Sequence, residues 1–90
     1  MVYIIKLERP IGGANHRAQY YCGYCAKGRL SARLREHRSG DGAKMLAAAS
    51  QKGIGFDVVW TLPHGTRGDE RRIKNQKSLS RFVARQGGVA

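Results

Sequence analysis

Apolar and polar positions change period several times along the chain, and each change marks an element. Between residues 2 and 7 apolar side chains alternate around Tyr3, Ile5 and Leu7 with β-branched neighbours, the two-residue period of a strand. Residues 8–17 hold a proline, two glycines and an asparagine, and read as a loop. Residues 18–25 carry Tyr20, Tyr21 and Tyr24 in an extended pattern, which predicts a second strand, antiparallel to the first across that loop. From residue 29 to 39 the period becomes helical: Leu30, Leu34 and His37 fall at i, i+4 and i+7, and Gly40 supplies the stop. A second helix, rich in Ala and Leu, is expected at about 43–52, with Asp41 near its start and Gly53 at its end. Residues 54–62, with Phe56, Val58, Val59 and Trp60, predict a third strand, broken by Pro63-His64-Gly65. Asp69 or Thr66 then opens a last helical region from about Glu70, with Ser78 an interruption before residues 79–85.

The order β-β-α-α-β-α predicts an α/β (α+β) domain: a small three-stranded, mainly antiparallel sheet flanked by helices. Ninety residues suit a single domain, 1–90, because a second would be too small to bury its own core. No apolar run approaches the roughly 18 residues of a membrane span. The first residues lack the basic leader and small-residue cleavage site of a signal peptide. The expectation is a soluble, cytoplasmic protein with no membrane partner.

Charge sharpens the functional picture. Seventeen Lys and Arg face six Asp and Glu, a formal +11 with a pI near 10.5. A field of that sign draws polyanions, nucleic acid foremost, although an acidic membrane surface or acidic protein would also accept it. The basic residues run from Lys6 to Arg85 without a tail-like block, so the folded surface itself carries the charge. Cys22 and Cys25 form C-G-Y-C inside a strand pattern. A redox pair needs its first Cys at a helix N-terminus after a buried strand, and a zinc site needs two further ligands at suitable spacing. Two small, partly buried thiols are the expectation.

On a helical wheel, Arg29, Arg33 and His37 form one i, i+4, i+8 row along the edge of the Leu30–Leu34 stripe. A solvated basic face accounts for Arg29. Arg33 and His37 sit nearer the stripe, which makes them semi-buried and oriented. In the last helix Glu70, Ile73 and Lys77 share one face, next to Lys74. A carboxylate turned inward in so basic a chain has to be paired or hold a metal. The sequence leaves open an ion pair with an arginine of the earlier helix, a favourable charge in the first helical turn, or a Mg²⁺ ligand.

Tyr3-Ile4-Ile5, then Tyr21-Cys22-Gly23, then Arg33-Leu34-Arg35-Glu36-His37, with Glu70 on a helix after the third strand, resembles the GIY-YIG nuclease signature across about residues 2–82. That family has a Gly-Ile-Tyr strand, a Tyr-Ile-Gly strand, a helix with Arg-x-x-x-His and a later metal-binding Glu. The stretch from Ala32 to Leu46 looks closest to small stand-alone members. Met1 stands where the family's first Gly would be, and Cys22 replaces the usual Ile. The loop between the tyrosine motifs is longer than usual, and the region of the family's late Asn offers Ser78 and Ser80.

The resemblance implies a metal-dependent endonuclease hydrolysing DNA phosphodiester bonds, branched or damaged DNA included. It implies that Glu70 holds one Mg²⁺ or Mn²⁺, that Arg33 binds the phosphate, that Tyr3 or Tyr21 activates water, and that His37 supports the base or holds the phosphate. Arg29, Arg38, Lys74 and Lys77 are assigned to backbone contacts with nucleic acid. Two alternatives stay open: a DNA-binding module of the same fold that no longer cuts, and a small basic RNA-binding protein stacking bases on Tyr20 and Tyr24, which share a strand face with Cys22.

Overall fold

A computed structural model describes residues 1–11, 19–40, 42–76 and 78–86. Strands β1 (Val2–Leu7), β2 (Tyr20–Tyr24) and β3 (Phe56–Leu62) form one sheet in the order β2-β1-β3, with both pairings antiparallel. Helices α1 (Leu30–Ser39) and α2 (Lys44–Gln51) lie between β2 and β3 in the chain, and α3 (Arg67–Lys74) and α4 (Leu79–Arg85) follow β3. The fold is α+β, in the expected order, with the last helical region split in two. None of the helices among the described residues is long and apolar enough to cross a membrane.

The central strand explains the layering. Val2, Tyr3, Ile4, Ile5 and Leu7 are all completely buried, although a half-exposed strand would bury only every second position. Tyr3, Ile5 and Leu7 face α1 and α2 in a core with Leu46, Ala49, Ile54 and Phe56. Val2 and Ile4 face the other way, against Ile73 of α3, Val83 of α4 and Cys22. Helices therefore cover both faces of the sheet, and each buried aliphatic side chain contributes about 1.5–3 kcal/mol. A register shift opposite Ile4 and Ile5 pairs them with Trp60 and Val58, leaving Val59 as the extra residue of a bulge. Cys22 and Cys25 are free and buried in opposite cores, so the C-G-Y-C pair is structural packing.

Local chemistry sets the helix ends that matter for the site. Gly40 closes α1 with φ 88°, a left-handed conformation that costs a side-chain-bearing residue dearly. Thr66, rather than Asp69, is the N-cap of α3, and the two form a reciprocal capping box. The Asp69 backbone N–H donates to Thr66 Oγ1 at 3.2 Å, and the Thr66 N–H donates to Asp69 Oδ2 at 2.9 Å. The helix thus starts at Arg67, about one turn earlier than expected, and Glu70 falls in its first turn. Ser78 caps α4, its hydroxyl accepting from the Arg81 N–H, which is why the chain turns there instead of continuing one helix. Asp41, expected near the start of α2, lies outside the described residues.

Candidate active site at the edge of the sheet

Because β2 is an edge strand, its flank is open, and a cleft of about 370 Å³ lies along it. Tyr21 and Cys25 line it from the face that carries Tyr3, and Tyr24 from the other. Helix α1 and the residue capping it bring Arg29, Arg33 and Glu36, while α3 brings Arg67 and Glu70. Arg33 and Glu70 therefore reach one cleft from helices that cover opposite faces of the sheet. Among the five residues expected to carry chemistry, Tyr21, Arg33 and Glu70 line the opening. Tyr3 and His37 stand behind it, both completely buried.

The buried pair is tightly specified. Tyr3 Oη and His37 Nε2 are 2.9 Å apart. The Ala43 backbone N–H donates to His37 Nδ1 at 3.3 Å, so that nitrogen is unprotonated and, in the neutral ring, Nε2–H donates to the phenol oxygen. Burial, with Arg33's charge second, holds the imidazole below its usual proton affinity, which keeps the ring neutral. Burial, then the neighbouring Tyr21, pushes the Tyr3 phenol up to about 12, against the lowering pull of Arg33. Tyr21 packs against both rings, with centroids 6.3 Å from Tyr3 and 5.5 Å from His37. Two glycines leave room for this arrangement. A Cβ at Gly23, directly across the ladder from Tyr3, would lie 2.5 Å from the Tyr3 hydroxyl, and one at Gly42 would run into His37 Nδ1.

The charged wall is more self-paired than its sequence implies. Arg33 Nη1 donates to Glu36 Oε2 at 2.7 Å, and this contact holds the Glu36 carboxyl below its usual range. Glu70 is 17 % exposed and pairs with Lys74 of its own helix at 3.4 Å, rather than with an arginine of α1. Lys74 also lies over the Tyr21 ring, at 5.9 Å from its centroid, so its charge stands beside the cleft. Arg29 is exposed at the cleft mouth, so the row Arg29, Arg33, His37 runs from solvent to core instead of forming one even lip. The Arg38 guanidinium sits over Phe56, 5.6 Å from the ring, and 3.9 Å from Asp57, outside the cleft lining. Lys77 lies outside the described residues.

Two charged cleft residues, Glu36 and Arg67, went unassigned in the sequence, and Tyr24 was named only as a base-stacking surface in the RNA-binding alternative. Glu36 had a legible signal, standing three residues after Arg33 on one helix, the spacing of an intrahelical ion pair. The meeting of Tyr24 with Arg67 had none, because 43 positions of chain separate them. On the Tyr20–Cys22–Tyr24 face α3 and α4 cover Cys22, which is 2 % exposed, while Tyr20 and Tyr24 are only half-buried. No protein-family model, curated protein or solved structure matches the chain.

Among the described residues no group of three or more His, Cys, Asp or Glu could hold a metal ion by itself. The ligands the cleft offers are carboxylate oxygens, from Glu70 and Glu36. That donor type suits a hard ion such as Mg²⁺ or Mn²⁺, which takes one or two carboxylates and completes its shell with water and phosphate. Among the described residues Glu70 is a donor of the type such an ion takes, with water and phosphate left to complete the shell.

Proposed function

We propose that this chain is a metal-dependent endonuclease that hydrolyses DNA phosphodiester bonds, with Glu70 as the carboxylate that holds one Mg²⁺ or Mn²⁺. A single observation carries the reading: Glu70, Arg33 and Tyr21 line one cleft of phosphate-sized room on a strongly basic chain. The ion, when bound, supplies positive charge to the phosphoryl oxygens and the leaving oxygen. Arg33, already oriented by Glu36, presents the rest of its planar fork to the non-bridging oxygens. Of Tyr3 and Tyr21, Tyr21 is the one whose phenol lines the cleft, and it orients the attacking water. Tyr3 and His37 act through it, fixing the ring from behind rather than touching the phosphate. Arg29 and Lys74 contribute charge along the backbone path.

The second reading, a DNA-binding module that does not cut, draws on the Lys74 ammonium 3.4 Å from Glu70, where it neutralises the carboxylate an ion would need. One assay separates the two. Supercoiled plasmid and branched oligonucleotides are incubated with the protein in Mg²⁺, in Mn²⁺ and in chelator. Nicking that needs metal, vanishes in Glu70→Gln and falls about 10²- to 10³-fold in Arg33→Ala supports the nuclease. Binding without any nicking on every substrate leaves only the module.

A further inference from the structure

The Arg67 guanidinium lies over the face of the Tyr24 ring, 4.8 Å from its centroid, at the mouth of the same cleft. Tyr24 is half-buried and packs against the core of Val2, Ile4 and Ile73, so the ring is held while part of it stays accessible along the cleft. Arg67 is exposed and forms no ion pair with any described carboxylate. The other cations in or beside the cleft are engaged: Arg33 with Glu36, Lys74 with Glu70, and Arg29 in the field of Glu36. Tyr24 sits on the opposite face of β2 from Tyr21, so this ring lies on the α3 side of the edge strand with Arg67 and Glu70, while Tyr21 and Arg33 lie on the α1 side.

We infer that Tyr24 and Arg67 form a second subsite, which takes one unpaired DNA nucleotide next to the phosphate held by Arg33. A nucleobase has the flat π-face that the Arg67 guanidinium now covers for Tyr24. On binding, the base stacks on the phenol and Arg67 turns to the adjoining phosphate, keeping its charge satisfied throughout. A base can reach the ring only when it is out of a duplex stack, because the ring is anchored in the core and cannot probe into a helix. The substrate class that follows is DNA with a single-stranded step at the cleft: a flap, a fork, a gap or a free strand. This inference deepens the nuclease reading and rests on it for the place of the cut, while the binding it describes is measurable without any cutting.

The test is fluorescence anisotropy in chelator, so that no hydrolysis intervenes, using a labelled 12-nucleotide single strand, the same sequence as a duplex, and its RNA counterpart. Tyr24→Leu, which keeps the core contact, is expected to weaken single-strand binding about tenfold and to change duplex binding less than twofold, the size expected for one stacked base. Tyr24→Phe retains full single-strand affinity. Arg67→Ala, at an exposed position, lowers the salt dependence of single-strand binding by about 0.7 in slope, one phosphate contact. A 2-aminopurine placed along the strand is quenched at one position in wild type and not in Tyr24→Leu. Equal losses on strand and duplex, unchanged quenching, or tighter binding of the RNA would overturn the proposal. Plasmid cutting with intact strand selectivity but no Tyr24 effect would sink it while sparing the nuclease. Strand-selective binding that depends on Tyr24, without cutting, would support it and sink the nuclease.

Discussion

His37 Nε2 lies 2.9 Å from Tyr3 Oη at the centre of the molecule, and both side chains have zero solvent exposure. With Nδ1 occupied by the Ala43 N–H, the ring has one proton to give and gives it to the phenol. The candidate site is built on this buried polar pair, which orients Tyr21 and shares Arg33 with the cleft.

Removing the phenol oxygen should cost stability even though Phe fills the space. Tyr3→Phe leaves the His37 Nε2–H without its acceptor in a dry interior, a loss of about 1–3 kcal/mol. Urea unfolding at neutral pH measures it, and a neutral or stabilising effect would mean the hydrogen bond is not made.

The same phenol makes the fold sensitive to alkali. Its folded proton affinity, about 12, exceeds the ordinary value of 10.0, so above pH 10 the unfolded chain ionises first and stability declines towards pH 12. Cys22, pushed up to about 11 by burial and then by Glu70, adds a decline that starts near its ordinary 9.0. Melting temperature against pH should fall from about pH 9 onward, and Tyr3→Phe should flatten the part above 10.

On the acid side His37 governs. Its folded proton affinity lies below the ordinary 6.5, so as pH drops past 6.5 the unfolded chain takes up a proton that the folded chain refuses. Stability is complete above that pH and falls below it, by up to about 1.4 kcal/mol per pH unit until the folded ring also protonates. Urea midpoints from pH 7.5 to 5 report the slope, and His37→Gln should remove most of it.

Glycine at 23 and 42 is a requirement of space. Gly23→Ala drives a methyl into the Tyr3 ring end and Tyr21, and Gly42→Ala drives one into His37. Each should destabilise by about 1–3 kcal/mol. Since both push on the Tyr3–His37–Tyr21 group, any cleavage activity should fall further than the lost folded fraction explains, as activity per folded molecule would reveal.

Lys74 competes with a cation for Glu70. Relieving a partly exposed i, i+4 pair is worth about 0.3–0.5 kcal/mol, so Lys74→Met should tighten Mn²⁺ binding about twofold in calorimetric titration. Weaker binding would show that Lys74 supports the ion site instead of opposing it.

Much of the fold was legible because its signals are local. The two-residue period of residues 2–7, the Leu30–Leu34 spacing and the glycine after Ser39 depend on neighbours within one or two turns, and β1, α1 and its Gly40 cap follow. The first turn of α3 was misread by about three residues because Thr66 and Asp69 both suit a helix start, and only their reciprocal bonding shows that they serve as one cap. The cleft itself was partly legible: Arg33, Tyr21 and Glu70 were named, through a resemblance in their order along the chain. That Arg38 meets Phe56 and Asp57 was not legible, because those contacts come from a strand distant in the chain.

What the sequence determined by itself is the set of elements, their order and the excess of positive charge, since period, caps and composition are properties of nearby residues. Only the tertiary structure decided that β1 runs down the middle of the sheet, which buries Tyr3 and lifts its phenol out of ready ionisation. It also decided that β2 is an edge, so that side chains as distant as Arg33 and Glu70, or Tyr24 and Arg67, meet around it. Those meetings depend on strand order and on which face each helix covers, and both are settled by where the whole chain buries its apolar surface.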